Sequence, residues 1–274
     1  MSGVPAAAYT SGSQRARVVT EAWGADNLYC PNCPSPSLNR LPHNTRALDF
    51  KCPACAFVYQ LKGQKNRLGE TINDGAYKSM VEAVMNDETP NFYFMQYELA
   101  TWSIKNLLLI PHFAFPLSAI IKRKPLSPTA RRAGWVGCNI ALNLIPPDAR
   151  IAVVEESRVI SEKVVREKYR RAKPLKELSV VERGWALDVL TAVRSLNKEE
   201  FTNQDLYALE RHFKKLHPGN RHVRDKIRQQ LQVLRDMGLV GHVAKGRCRD
   251  GADRGGGVEV RGKNFGLKGW GLID

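Results

Sequence analysis

The chain has 274 residues, enough for two domains, and its 43% hydrophobic and 25% charged content is that of a folded globular protein rather than a disordered one. A formal net charge of +15 favours polyanionic partners, nucleic acid ahead of anionic membrane, without choosing between DNA and RNA. No apolar run is long enough to span a bilayer and residues 1–13 are small and polar with no signal-peptide core, so a cytoplasmic protein is expected.

In chain order, residues 14–23 read as a short helix, followed by a Pro, Asn and Ser-rich stretch over 27–44. Residues 47–51 and 57–62 form the strands of a hairpin whose turn is Cys52-Pro53-Ala54-Cys55. Asn73 is placed to cap a helix running to about 86, with Tyr77, Met80, Val81 and Val84 at helical spacing. Residues 91–98 and 106–110 are the clearest strands. A basic loop punctuated by Pro and Gly covers 122–137, a further strand 150–155, and a charged helix 162–171. Helices and strands in this order predict a mixed α/β core. Residues 172–179 read as the linker. Three amphipathic helices then follow over 180–196, 203–216 and 220–237, and Gly238 leads into a short apolar strand over 239–244. Such a sequence of elements predicts a winged helix. From 250 the chain is Gly-rich without periodicity and is expected to be flexible. The expected division is therefore 1–178, 179–249 and a tail over 250–274.

Cys30-Pro31-Asn32-Cys33 and Cys52-Pro53-Ala54-Cys55 are two C-x2-C pairs separated by 18 residues, the spacing of a structural four-cysteine zinc site. With every ligand position taken by sulfur, such a Zn²⁺ holds structure and leaves no open site for catalysis. Cys138 and Cys248 stand alone and read as packing residues.

Asp49 ends one strand of the hairpin, and Gln60 and Lys62 share a face of the other because side chains alternate along a strand. A carboxylate, a second oxygen ligand and a lysine on one sheet face suit metal-assisted hydrolysis of a phosphodiester: oxygens hold a hard cation, and the lysine steers water. Asp49, Gln60 and the Leu61 carbonyl are the expected ligands of a catalytic Mg²⁺, with Lys62 beside them. The nearby carboxylates Glu21, Glu70 and Asp74 could compensate for the charge that Gln60 does not bring, but each reads more simply as a surface or capping residue.

The arrangement of Asp49 and Gln60-Leu61-Lys62 resembles the PD-(D/E)XK nucleases. Denser likeness lies in Tyr29-Cys-Pro-Asn-Cys33, in Thr71-Ile-Asn-Asp-Gly-Ala-Tyr77, in the run from Arg123 to Cys138 and in Ile227-Arg-Gln-Gln-Leu-Gln-Val-Leu-Arg-Asp236. Over residues 13–249 these stretches resemble the DpnI-type family of methyl-directed restriction endonucleases. The resemblance implies a mixed-sheet α/β nuclease core with an inserted four-cysteine zinc knuckle over 30–55, followed by a small α+β winged-helix domain. It also implies cleavage of double-stranded GATC DNA carrying N6-methyladenine. Where the family has an acidic residue before x-Lys, this chain has Gln60, which brings an oxygen but no charge.

For DNA reading, the third C-terminal helix carries an apolar stripe of Val223, Ile227, Leu231 and Leu234. Arg221, Arg224, Arg228, Gln229, Gln232 and Arg235 lie mainly off that stripe, with the chemistry to reach guanine, adenine and phosphate. Lys245, Arg247 and Arg249 sit where a wing would touch the backbone. In the basic loop, Arg123, Lys124, Arg131, Arg132 and Trp135 are DNA-facing by the resemblance, and the Trp135 indole is a candidate reader of the adenine methyl groups. The chain is expected to act as a monomer with no small-molecule cofactor. Two other readings stay open: a methyl-DNA reader whose nuclease is disabled by Gln60, and a zinc-containing winged-helix regulator.

Overall fold

The computed structural model describes residues 10–42, 45, 47–244, 246–251, 260 and 261. The N-terminal part opens with α1 (Gly12–Asn27), longer at both ends than its apolar pattern suggests, and the short strands β1 (Asn39–Arg40) and β2 (Phe50–Lys51). There follow β3 (Val58–Gln64), β4 (Thr71–Ala76), α2 (Tyr77–Met85), β5 (Asn91–Glu98) and β6 (Ser103–Ile110). Next come β7 (Ile120–Lys122), β8 (Gly137–Ala141), β9 (Ile151–Glu155), β10 (Arg158–Ile160) and α3 (Glu162–Ala172).

The main sheet has the order β1-β2-β3-β5-β6-β9-β10 and ends on β14 (Val260–Arg261). It is mixed, because β3 and β5 run parallel while their other neighbours are antiparallel. Phe92, Tyr93, Phe94 and Met95 are all buried, so both faces of β5 are covered. On one face, Tyr93 stacks on Tyr59 at 5.8 Å within a core that also takes in α1 and the first cysteines. On the other, Phe92 and Phe94 pack with Met80 and Val84 of α2 and with a second sheet, ordered β4-β8-β7.

That second sheet corrects the expectation at Asn73. The residue lies inside β4, opposite Asn139 of β8, and caps nothing; α2 begins at Tyr77 with Ala76 as its cap and no side-chain cap bond. Burial of Ile72 against the second core decides for strand over helix there. The segment read as a linker is likewise ordered: a 3₁₀ helix over Lys173–Glu177 sinks Leu175 completely into the core.

The C-terminal part holds α4 (Val180–Ser195), β11 (Glu200–Thr202), α5 (Asn203–Tyr207), α6 (Glu210–Leu216), α7 (Val223–Asp236), β12 (Val240–Ala244) and β13 (Arg247–Asp250). A capping box between Ser179 and Glu182 starts α4, and one between Thr202 and Asp205 starts α5. The helix expected over 203–216 is thus two, α5 and α6, broken at Ala208 and Leu209. A three-stranded sheet of order β11-β13-β12 completes the helix-turn-helix with a wing; β11 and β13 carry too few apolar residues to register as strands in sequence. Of the expected tail, Asp250 is a buried strand residue and Val260–Arg261 pairs with β10. The rest of it, apart from Gly251, lies outside the described residues. No helix among the described residues is long and apolar enough to cross a membrane.

Candidate active site and nucleic-acid interface

The two cysteine pairs meet. Their four sulfurs lie within 4.8 Å of one another, with Cys30 to Cys55 and Cys33 to Cys52 each at 3.5 Å. A tetrahedral ion with Zn–S bonds of about 2.3 Å needs sulfurs roughly 3.8 Å apart, so the cluster fits a tetrahedral metal with little movement. Burial pushes the Cys30 and Cys33 thiols up. Burial also opposes ionising Cys52, but the Cys55 and Ala54 backbone N–H groups together with the Cys33 and Cys55 thiols outweigh it and bring that thiol down to about 6. Arg166 of α3 donates to the carbonyls of Cys30 and Ser35 and lies over the Tyr29 ring, tying the knuckle to the domain body.

The second pair forms the turn between β2 and β3, so the knuckle also sets the register of the hairpin. Phe50 pairs with Tyr59, which places Asp49 opposite Gln60 one step on. There the Asp49 backbone N–H donates to Tyr59 O at 2.9 Å, and Asp49 Oδ2 accepts the Leu61 N–H at 2.8 Å. Desolvation raises the Asp49 carboxyl above its usual value; the Leu61 hydrogen bond pulls it back, Glu21 pushes it up, and Arg17 and Lys62 pull it down. Among the described residues no cation stands at ion-pair distance from it. Gln60 and Lys62 are half-buried on one face of β3, as strand alternation requires. Asp49, Gln60, Leu61 and Lys62 are therefore brought together, an oxygen-rich donor set suited to a hard divalent cation.

Two of the carboxylates read as surface or capping groups lie elsewhere than expected. Glu21 is on the buried face of α1, between Arg17 of the same helix at 2.5 Å and Arg40 of β1 at 2.6 Å. Asp74 is nearly buried and meets Lys62. Neither burial was legible in sequence, because Arg40 and Lys62 reach these carboxylates from other elements. Glu70 alone is exposed, as expected.

The basic loop joins β7 to β8 as a closed excursion, in which the Leu126 N–H donates to Trp135 O at 2.9 Å and Leu126 O accepts the Gly134 N–H at 3.1 Å. Arg123, Lys124, Arg131 and Arg132 are exposed, whereas Trp135 is half-buried. The indole rests over Gly137, where an added Cβ would come within 2.8 Å of the ring, and the Arg132 guanidinium lies 4.7 Å from its centroid. The loop root is next to the hairpin site: the Cys138 sulfur points to Gly75 O at 3.5 Å and to Asp74 at 4.0 Å. Cys138 and Cys248 are both buried packing residues.

On α7 the stripe of Val223, Ile227, Leu231 and Leu234 is buried, and Arg224, Arg228, Gln229 and Gln232 are exposed. Arg221 is exposed just before the helix. Most of these groups are paired with neighbours: Arg224 with Glu210, Arg228 with Asp225, Gln229 with Lys226 and Gln232 with Asp236. Arg235 differs from the expectation, being half-buried between α7 and the wing near His242 and Cys248. Arg247 and Arg249 are exposed on β13 and face Glu200 of β11; Lys245 lies outside the described residues.

The winged helix is fastened to the first domain through polar groups of α4. Arg183 pairs with Asp87, Asp188 accepts from Ser118 Oγ and meets His217 at 2.8 Å, and Arg194 pairs with Asp148 at 2.7 Å. The chain matches the family model described as DpnI, Dam-replacing family, over residues 5–178, and the model described as the Dam-replacing HTH domain over residues 181–250.

Proposed function

The chain belongs to the Dam-replacing family, which is of restriction type and binds DNA, and on that premise we propose that it is a methyl-directed restriction endonuclease. Its substrate is double-stranded GATC DNA with N6-methyladenine, and its reaction is Mg²⁺-dependent hydrolysis of the phosphodiester. The observation that carries this reading is the hairpin: Asp49, just ahead of β2, stands beside Gln60 and Lys62 of β3, and the cysteine knuckle holds the two strands in register. The core is read as PD-(D/E)XK-like, with Zn²⁺ in the cysteine cluster.

In this reading the free oxygen of Asp49, the amide oxygen of Gln60 and the Leu61 carbonyl hold the Mg²⁺. Bound there, the ion supplies charge stabilisation at the scissile phosphate. Lys62 donates to the attacking water and orients it, while Asp49 stays fixed by the Leu61 N–H. Arg123, Lys124, Arg131 and Arg132 neutralise backbone phosphates, Trp135 meets the methyl groups, and α7 of the winged helix lies in the major groove with Arg221, Arg224, Arg228, Gln229 and Gln232 toward base edges. Arg235 supports the wing.

The test is cleavage of matched GATC duplexes, methylated and unmethylated, with Mg²⁺ or EDTA, beside Lys62→Ala. Cutting confined to methylated duplex, dependent on Mg²⁺ and lost in the variant supports the reading. Methyl-selective binding without cutting would make the protein a reader, as the missing charge at Gln60 would explain.

A further inference from the structure

Lys62 reaches from the main sheet to the second sheet, where its ammonium meets Asp74 Oδ1 at 2.5 Å, with the two side chains 21% and 9% exposed. No ladder joins β3 to β4, so this ion pair is a side-chain tie between the two layers. Asp74 occupies the irregularity of β4, where the register with β8 slips between Asn73 and Ala76. Irregularities of this kind re-aim a side chain out of the strand's alternation, and here the carboxylate is turned toward Lys62.

The three carboxylates around the hairpin have separate duties. Glu21 is closed off by Arg17 and Arg40. Asp49 receives the Leu61 N–H and keeps its second oxygen for a cation. Asp74 is engaged by Lys62. A lysine ammonium sits on a flexible four-carbon stem, so an untethered Lys62 would spread over many positions. The Phe92 ring, 5.8 Å from Nζ, walls the other side.

We propose that Asp74 is the positioning residue for Lys62: it fixes the ammonium at the cleavage face and leaves Asp49 and Gln60 to the metal. The proposal rests on the nuclease reading of the hairpin. Asp74 acts through Lys62 and contacts neither the ion nor the scissile phosphate.

The experiment compares wild type, Asp74→Asn and Asp74→Glu. Single-turnover cleavage of methylated duplex at saturating Mg²⁺, duplex affinity in EDTA, and the Mg²⁺ midpoint are measured for each. In metal-free, DNA-free protein, acylation of Lys62 by an amine-reactive ester is followed by mass spectrometry. Asp74→Asn should slow cleavage at least tenfold, leave duplex affinity and the Mg²⁺ midpoint within twofold, and speed labelling of Lys62 several-fold. Asp74→Glu, which keeps the charge, should recover much of the rate and the protection. An unchanged cleavage rate overturns the proposal, as does a raised Mg²⁺ midpoint with unchanged labelling, which would make Asp74 a metal ligand. A wild type that leaves methylated duplex intact sinks the nuclease reading, whereas labelling insensitive to Asp74→Asn sinks the tie itself.

Discussion

The Tyr59 hydroxyl lies 3.1 Å from the Cys30 sulfur, so the strand that carries Gln60 and Lys62 is hydrogen-bonded directly to the cysteine cluster. Tyr59 is wholly buried and stacked on Tyr93, and the residue after it is Gln60. The cluster and the hairpin site are therefore one mechanical unit, in which the knuckle sets where β3 begins.

The protein should hold one zinc per chain, and Cys52→Ser should release it. Structural zinc contributes about 10–16 kcal/mol to the folding of small zinc modules, so its loss should lower the unfolding midpoint sharply and abolish cleavage even with Lys62 intact. Metal analysis together with thermal unfolding in chelator checks this; a zinc-free protein of unchanged stability would refute it.

Gln60→Glu should lower the Mg²⁺ concentration needed for half-maximal cleavage, because a carboxylate adds charge where the amide offers only an oxygen. The measurement is a Mg²⁺ titration of the cleavage rate. A clear loss of activity would remove Gln60 from the ligand set.

Trp135→Ala should erase the preference for methylated over unmethylated duplex while the fold survives. Burying one methyl carbon is worth about 1 kcal/mol, a several-fold preference per site. Competition binding with the two duplexes reads it, and an undiminished preference would assign the reader elsewhere.

Arg194→Ala should destabilise the protein by about 3–5 kcal/mol, the cost of leaving buried charge without its partner. Arg194 is buried and pairs with Asp148 of the first domain and with Asp250 at the end of β13, and it donates to Leu239 O at 3.0 Å. Denaturant unfolding should show the loss; a change below about 1 kcal/mol would mean the tie is solvent-screened.

Stability should fall in mildly acidic buffer through His112. Its ring meets Phe57 and Phe113 edge-on, and burial brings its pKa down from 6.5 to about 4. Between those values the unfolded chain binds the proton and the folded chain does not, so stability is full above about pH 6.5 and is lost as pH falls toward 4. Replacement by Gln should flatten the pH dependence of the denaturation midpoint over that window; an unchanged slope would place the titration elsewhere.

Several features were fixed locally and could be read from the chain alone. The cysteine spacing announces a tetrahedral cluster because two intervening residues let both thiolates of a pair reach one ion. The stripe of Val223, Ile227, Leu231 and Leu234 predicts the buried face of α7 because burial on one side imposes a helical period, and the aromatic and aliphatic run from Asn91 to Glu98 predicts β5 because a strand covered on both faces is apolar throughout. Strand alternation likewise puts Gln60 and Lys62 on one face.

Tertiary structure decided what depends on partners distant in sequence. Asn73 looks like a helix cap until β8 offers a ladder and a core for Ile72. Asp74 looks like a surface acid until Lys62 arrives from another sheet, and Glu21 until Arg40 closes over it. The winged helix is legible from its helices, but its seat on the first domain, through Arg183, Asp188 and Arg194, is not, since a charged residue shows its partner only when burial makes that partner obligatory.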